Sequence, residues 1–286
     1  MNLTEDLLSS LATKCANNIY YYPNGGNAGD ALINMGFYSL AKKTGLRYRS
    51  IGPSQVDELR DGDVVIVAGG GTLVPEWTAT PNFLRRISGK KIQIIILPQS
   101  IRQVDDVMMG LPAQSIVVCR EKYSADYCSS LRLDVDISVD DDMAFHVDVQ
   151  QILRSQVSKS NFNWKNMIRD GAFIYHKVRS NFTKKIDAFR CDDEKNKKLS
   201  APRRLVNDLS IMASLGAGTY DDSLRSAKRF LQIIDLYDVV TTDRLHVGIA
   251  SCLMGKKVIL HNNNYYKLQG VFEKSMAGRY TVRMAE

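Results

Sequence analysis

The chain has 286 residues, 44% of them hydrophobic, and a formal charge of +7. That length allows one large or two small domains, and that apolar fraction supports a packed core, which excludes a generally disordered chain. No apolar run approaches the ~18 residues of a membrane span, and the odd count of five cysteines, none in CxxC spacing, favours reduced thiols over a disulfide frame or zinc site.

In chain order, residues 18–23 (Asn-Ile-Tyr-Tyr-Tyr-Pro) read as a strand. The turn Gly25-Gly26-Asn27-Ala28-Gly29-Asp30 follows, then a helix over 31–43 with Leu32, Met35, Gly36, Ser39 and Leu40 on one side and Gly45 as its stop. Apolar strands are expected over 63–68, 91–98 and 115–119, and a last one over 134–145 that bends at Asp140-Asp141-Asp142. Residues 147–164 read as a short helix and a linker. A second unit is expected from Ala172 onward. It holds helices over 200–215 and 220–234, a strand over 236–240, a helix over 247–254, a strand over 257–260 and a helical tail over 265–276 that crosses back to the first unit. Apolar strands interleaved with helices specify parallel sheets covered on both faces. The fold class expected is α/β: two Rossmann-like domains, 1–155 and 156–286, facing each other across a cleft lined by strand ends.

The most informative stretch is 241–251, Thr-Thr-Asp-Arg-Leu-His-Val-Gly-Ile-Ala-Ser. It sets Arg244 and His246 in the first turn of a helix at the carboxyl end of a strand, where open α/β sheets bind ligands. A helix start favours anions, and an imidazole beside a cation suits an anionic substrate that needs a proton moved. The Gly25–Asp30 turn is either a tight strand-to-helix connection or an anion cradle. It is not GxGxxG and no Walker lysine follows. Asp30 either caps the helix or orients and deprotonates a sugar hydroxyl. Gly69-Gly70-Gly71 suggests close backbone approach to a ligand, and Gln99 is placed to donate into the same cleft. Arg120 either pairs with Glu121 or binds a carboxylate or phosphate with its planar fork. His146 and His176 read as structural. The run His261-Asn262-Asn263-Asn264 either lines the cleft or turns the chain. No two histidines have metal-ligand spacing, so no catalytic metal is expected.

Ten basic residues fall between Lys177 and Arg204, against four acids. This segment is either a solvated surface or a patch facing anionic lipid or a phosphate-bearing substrate. With only Phe182 and Phe189 as aromatics, and no recognisable RNA or DNA module, nucleic acid is not an expected partner.

Asn27-Ala28-Gly29-Asp30, Gly69-Gly70-Gly71, Arg120-Glu121 and above all Asp243-Arg244-Leu245-His246-Val247-Gly248-Ile249-Ala250 resemble the polysaccharide pyruvyl transferases, in the same motif order over about 18–276. Arg190-Cys191-Asp192-Asp193-Glu194 is similar to an Arg-x-Asp-x-Glu segment of that family. The resemblance implies a two-domain fold like the B-type glycosyltransferases, the first domain on the acceptor side with Arg120 at the cleft, the second on the phosphoenolpyruvate (PEP) side. It implies transfer of pyruvate from PEP to a sugar of a surface polysaccharide or its lipid-linked precursor, giving a pyruvyl ketal and phosphate. PEP is then a co-substrate and no cofactor is expected. The acceptor is a glycan, expected on polyprenyl diphosphate. His246, Arg244 and Asp30 are the expected catalytic residues. Arg120, Leu245, Asn27, Gly70, Gly71, Gln99 and Asn263 are the expected substrate-binding residues. The start, Met1-Asn2-Leu3-Thr4-Glu5-Asp6, lacks the pattern of a signal peptide, so the expected place is the cytoplasm, with peripheral contact at the anionic inner face of the membrane. A nucleotide-sugar-dependent glycosyltransferase is the alternative reading, and a non-catalytic glycan- or phosphate-binding module a third.

Overall fold

The computed structural model describes residues 3–14, 18–157, 164–192, 195, 203–263 and 265–285. Part of the expected linker (158–163), the first residues of the expected 200–215 helix, Asn264, and Asp193, Glu194, Lys197 and Lys198 of the basic segment lie outside them. By internal contacts the chain forms two units. One comprises Met1–Asn24 and Phe37–Met143, the other Gly25–Gly36 and Ala144–Glu286. The expected boundary at 155/156 therefore moves to Met143/Ala144. The glycine turn with its helix start joins the second unit, and so does the C-terminal tail.

The elements, in order, are α1 (Leu3–Lys14), β1 (Ile19–Tyr22), α2 (Ala28–Thr44), β2 (Arg49–Ser50), β3 (Val64–Val67), β4 (Gly70–Leu73), α3 (Ala79–Ile87), β5 (Gln93–Ile101), α4 (Asp105–Met109), β6 (Ile116–Cys119), α5 (Lys122–Ser130) and β7 (Asp136–Val139). They continue with α6 (Val149–Arg154), α7 (Trp164–Arg179), β8 (Lys185–Ala188), α8 (Leu209–Met212), α9 (Tyr220–Asp235), β9 (Val239–Thr242), α10 (Leu245–Leu253), β10 (Lys257–Leu260), α11 (Lys267–Val271) and β11 (Val282–Met284).

In the first unit the strands form a parallel sheet in the order β2-β1-β3-β5-β6-β7, with β4 pairing the end of β5. The central strands are buried along their whole length because helices cover both faces. Val65, Val67, Ile94, Ile96 and Val117 pack on one face with Phe83, Leu84 and Ile87 of α3. On β1, alternation sends Tyr22 to stack on Phe83 at 3.8 Å and Tyr21 to stack on Phe37 at 3.7 Å.

The second unit has its own parallel sheet, ordered β11-β10-β9-β8. Leu224, Ala227, Phe230, Leu231 and Ile234 form the buried stripe of α9. Thr219 caps that helix by accepting from the Asp222 N–H at 3.1 Å. Helix α10 lies so close to β10 that a Cβ on Gly248 would stand 2.7 Å from Leu260 Cδ2. The Asp134–Phe145 strand expected from sequence ends at Val139. Asp140 and Asp142 turn inward instead, Asp140 accepting from the Thr4 N–H at 2.7 Å.

Candidate functional site

In the second unit the carboxyl ends of β8, β9 and β10 lie side by side. Thr242 closes β9 against β8 by donating to the Ala188 carbonyl at 2.7 Å, and the His261 N–H donates to the Thr242 carbonyl at 2.8 Å. Three segments leave these ends together: Phe189-Arg190-Cys191-Asp192, Asp243-Arg244 with the start of α10, and His261-Asn262-Asn263.

Among the described residues, their charges form one connected network. Buried Asp243 accepts from the Arg190 N–H and from Arg203 Nη1, both at 2.8 Å. Arg190 grips Asp192 through Nε (2.7 Å) and Nη2 (3.1 Å). Arg244 reaches the same Asp192 carboxylate through Nη2 at 2.7 Å and holds buried Asp208 through Nη2 and Nε, each at 2.6 Å. Asp208 also accepts from the Cys191 N–H at 2.8 Å. Burial alone would lower the pKa of Arg244, but Asp208 and Asp192 outweigh it and hold the guanidinium charged. For Asp192, burial works upward, yet its hydrogen bond from Arg190 and the charge of Arg244 pull it down to about 2. Among the described residues, Arg190, Arg203 and Arg244 face Asp192, Asp208 and Asp243. Arg244, expected as a catalytic residue beside His246, is clamped by two carboxylates. Arg190 and Arg203, counted above among the ten basic residues of the 177–204 segment, supply two of the three arginines of this network. Cys191 stays a thiol, because burial first, and then Asp208, push its pKa up.

Helix α10 begins at Leu245, with Arg244 as N-cap residue and no side-chain cap. The first N–H groups of such a helix have no acceptor within it and carry the positive end of its dipole. Leu245, expected as a substrate contact, is buried, so only its backbone faces that role. His246 stands in the same turn. A Cβ on Gly29 would lie 2.7 Å from its Nδ1 and 3.0 Å from its Cβ, so the imidazole rests directly on that glycine.

Gly29 is held there by two hydrogen bonds at the start of α2. Asn27 Oδ1 accepts from the Gly29 N–H and Asp30 Oδ2 from the Asn27 N–H, both at 2.8 Å. Asp30 thus braces the start of α2 from inside its first turn. Asn263, beyond the end of β10, is only 8% exposed, and among the described residues neither its amide oxygen nor its nitrogen has a hydrogen-bond partner. A buried amide of this kind is costly unless something bonds it. His261 packs edge-on to Phe189 at 5.4 Å, and burial lowers its pKa against the pull of Asp243 and Asp187. His176 is structural as expected: its ring bridges the Tyr237 hydroxyl and the Val206 carbonyl, each at 2.8 Å.

The first-unit candidates do different work. Gln99 is fully buried and spends its amide on the chain beside it. Its Nε2 donates to the Ala68 carbonyl (2.8 Å) and Thr72 Oγ1 (3.1 Å), while Oε1 accepts from the Thr72 N–H (3.2 Å). Gly70 adopts φ 122°, and a Cβ on Gly71 would lie 2.8 Å from Arg120 Nη2. Arg120 is 1% exposed. It pairs with Asp142 at 2.7 Å, not with Glu121, and donates from Nε to Ser100 Oγ at 2.8 Å. Glu121 instead caps α5, accepting from the Ser124 N–H at 2.9 Å. Gly71 therefore packs closely on a buried ion pair, and Gln99 braces the chain beside it.

The sequence signals missed Asp208 altogether and gave Asp243 no role. A lone aspartate ahead of a short helix has no local signature; only the fold brings Asp208 to Arg244.

Two α/β units with parallel sheets, one carrying an arginine and a histidine at a strand-to-helix turn, define a Rossmann-like α/β architecture, which does not by itself fix an activity. The family model for polysaccharide pyruvyl transferase matches residues 27–265, and the chain belongs to that family. It is thus a transferase of the pyruvyl type, with a polysaccharide glycan implied as acceptor. A functionally uncharacterised protein from Klebsiella pneumoniae subsp. pneumoniae NTUH-K2044, known from its crystal structure, is similar over 99% of this chain and 97% of its own, with 27% identity and a TM-score of 0.74. Comparison with curated proteins gives no match.

Proposed function

We propose that the enzyme transfers pyruvate from PEP to two hydroxyls of one sugar in a surface polysaccharide or its lipid-linked precursor. The observation that carries this reading is His246 in the first turn of α10, a helix start without a side-chain cap, immediately after the clamped Arg244. PEP brings a carboxylate and a phosphate worth roughly −1.5 to −2 charges, which suits that turn. His246 protonates the PEP methylene, giving an oxocarbenium-like C2. One sugar hydroxyl bonds to C2, the C2–O bond to phosphate breaks, and a second hydroxyl closes the ketal. Of the two hydroxyl protons, one replaces that given to carbon and one leaves with phosphate.

Arg244, Asp192 and Arg190 supply the donor's electrostatic surroundings, and the Asn263 amide a polar contact. Asn27 and Asp30 position Gly29 under His246. In this reading the second unit carries the donor chemistry and the first the acceptor side. PEP is a cytosolic metabolite, so the reaction belongs in the cytoplasm. The test is calorimetry with PEP and a panel of UDP-sugars. Binding of PEP alone, weakened at least tenfold in Asn263→Leu, is the expected result. Binding of a UDP-sugar without PEP overturns the proposal.

A further inference from the structure

The apolar face of α7 points outward. Trp164, Met167, Ile168, Ile174, Tyr175 and Val178 are all exposed, Trp164 at 63%, and Phe182 just beyond the helix is 85% exposed. At 100° per residue, these six helix positions with Gly171 fall in one arc of about 120°. That arc is the width of a core-facing stripe, yet here it is the solvent side. The opposite side does the packing: Ala172 and His176 are buried, and His176 is fixed to Tyr237 and Val206. No helix among the described residues is long and apolar enough to cross a membrane, so this stripe is not part of a span.

The flanks decide what covers it. Lys184 and Lys185 follow Phe182 by two and three residues and are exposed, as is Lys177 next to Val178. Lys177 Nζ lies over the Phe173 ring at 4.8 Å, outside the stripe. The acid on the helix, Asp170, is paired with Arg229 at 2.5 Å. A tryptophan at one end, a fully presented phenylalanine at the other and lysines near it in the chain are the features of a helix lying in a lipid interface.

We propose that α7 and Phe182 seat the protein on an anionic bilayer, the apolar stripe entering the headgroup boundary and the lysines meeting lipid charge. The surface deepens the lipid-linked acceptor reading, on which only its purpose rests. Vesicle binding is read without donor or acceptor, so its failure is distinct from a failure of PEP binding.

The protein is mixed with vesicles of phosphatidylglycerol or of phosphatidylcholine, in wild type and in Trp77→Phe, which leaves Trp164 as the reporter. Expected are at least tenfold preference for phosphatidylglycerol, weakening with salt, and a blue shift of Trp164 emission. Ile168→Ser/Ile174→Ser/Phe182→Ser abolishes the shift, and Lys184→Glu/Lys185→Glu weakens binding at least tenfold, with PEP calorimetry unchanged in both. No Trp164 shift at low salt overturns the proposal. So does a concentration-dependent dimer, seen by sedimentation velocity, that the serine variant dissolves and vesicles leave intact, because the stripe then belongs to a second copy.

Discussion

Replacing Gly29 by alanine puts a methyl carbon where His246 Nδ1 is 2.7 Å away, a distance that no Cβ tolerates. The imidazole must move, and general acid–base catalysis is worth about 10²–10⁴ only when the proton carrier is in place. Gly29→Ala is therefore expected to cut kcat at least tenfold with PEP affinity nearly unchanged, and His246→Gln to cut it further. Steady-state kinetics beside calorimetry separates the two effects; a parallel loss of affinity would place His246 in binding instead. Arg244 behaves differently, because its loss leaves the fully buried Asp208 without its cation, whereas Asp192 keeps Arg190. Breaking a buried pair from one side costs about 3–5 kcal/mol. Arg244→Ala should thus lose that much in urea unfolding as well as losing activity. Arg244→Lys, which keeps the charge but not the fork, should recover part of the stability and little of the activity.

At the scale of elements, the pair of hydrogen bonds at the start of α2 makes a separable prediction. Asp30→Ala removes the hydrogen bond from the Asn27 N–H and should cost about 1 kcal/mol. If that bracing is its whole role, kcat falls less than tenfold. A collapse of kcat with normal stability would make Asp30 the acceptor base. The elements themselves were largely legible: continuous apolar runs became β3, β5 and β6, and the stripe of α9 was readable because its period is that of a helix facing a core. β8 was not, since Lys185-Ile186-Asp187-Ala188 alternates polar and apolar and is only four residues long. Helix α7 was misplaced as the start of a domain at Ala172, because its apolar residues do not face a core at all. In the site, Arg244 and His246 were legible from strand-to-helix punctuation. Their partners were not, because Asp192 and Asp208 lie 52 and 36 residues away in sequence. The partners of Gln99 and Arg120 were not legible either, because polar residues at strand ends can bond the chain beside them.

Over the whole molecule these buried groups set the response to pH. Burial, and secondarily Arg179, lower the pKa of His176 despite its bond to the Val206 carbonyl, and burial lowers that of His261. Both rings are thus harder to protonate in the folded protein than in the unfolded chain, where imidazole titrates near ~6.5. The unfolded state takes up protons first as pH falls, so their contribution is complete above about 6.5 and is lost below it, toward the folded values. Asp192, held down to about 2 by Arg190 and Arg244, acts in a lower window. Its contribution is present above the unfolded carboxylate value of ~3.9 and disappears as pH falls toward 2. Glu121 runs the other way. Burial raises its pKa, against the hydrogen bonds from Ser124, so its cost appears as pH rises through the unfolded value and is relieved in acid. Urea midpoints should therefore be flat from pH 8 to about 7, then fall between 6.5 and 5. His176→Gln should show a lower plateau and a shallower fall over that interval, with the His261 share remaining. An unchanged slope would mean that His176 already titrates normally in the folded protein, and that its bonds to Tyr237 and Val206 do not hold it neutral.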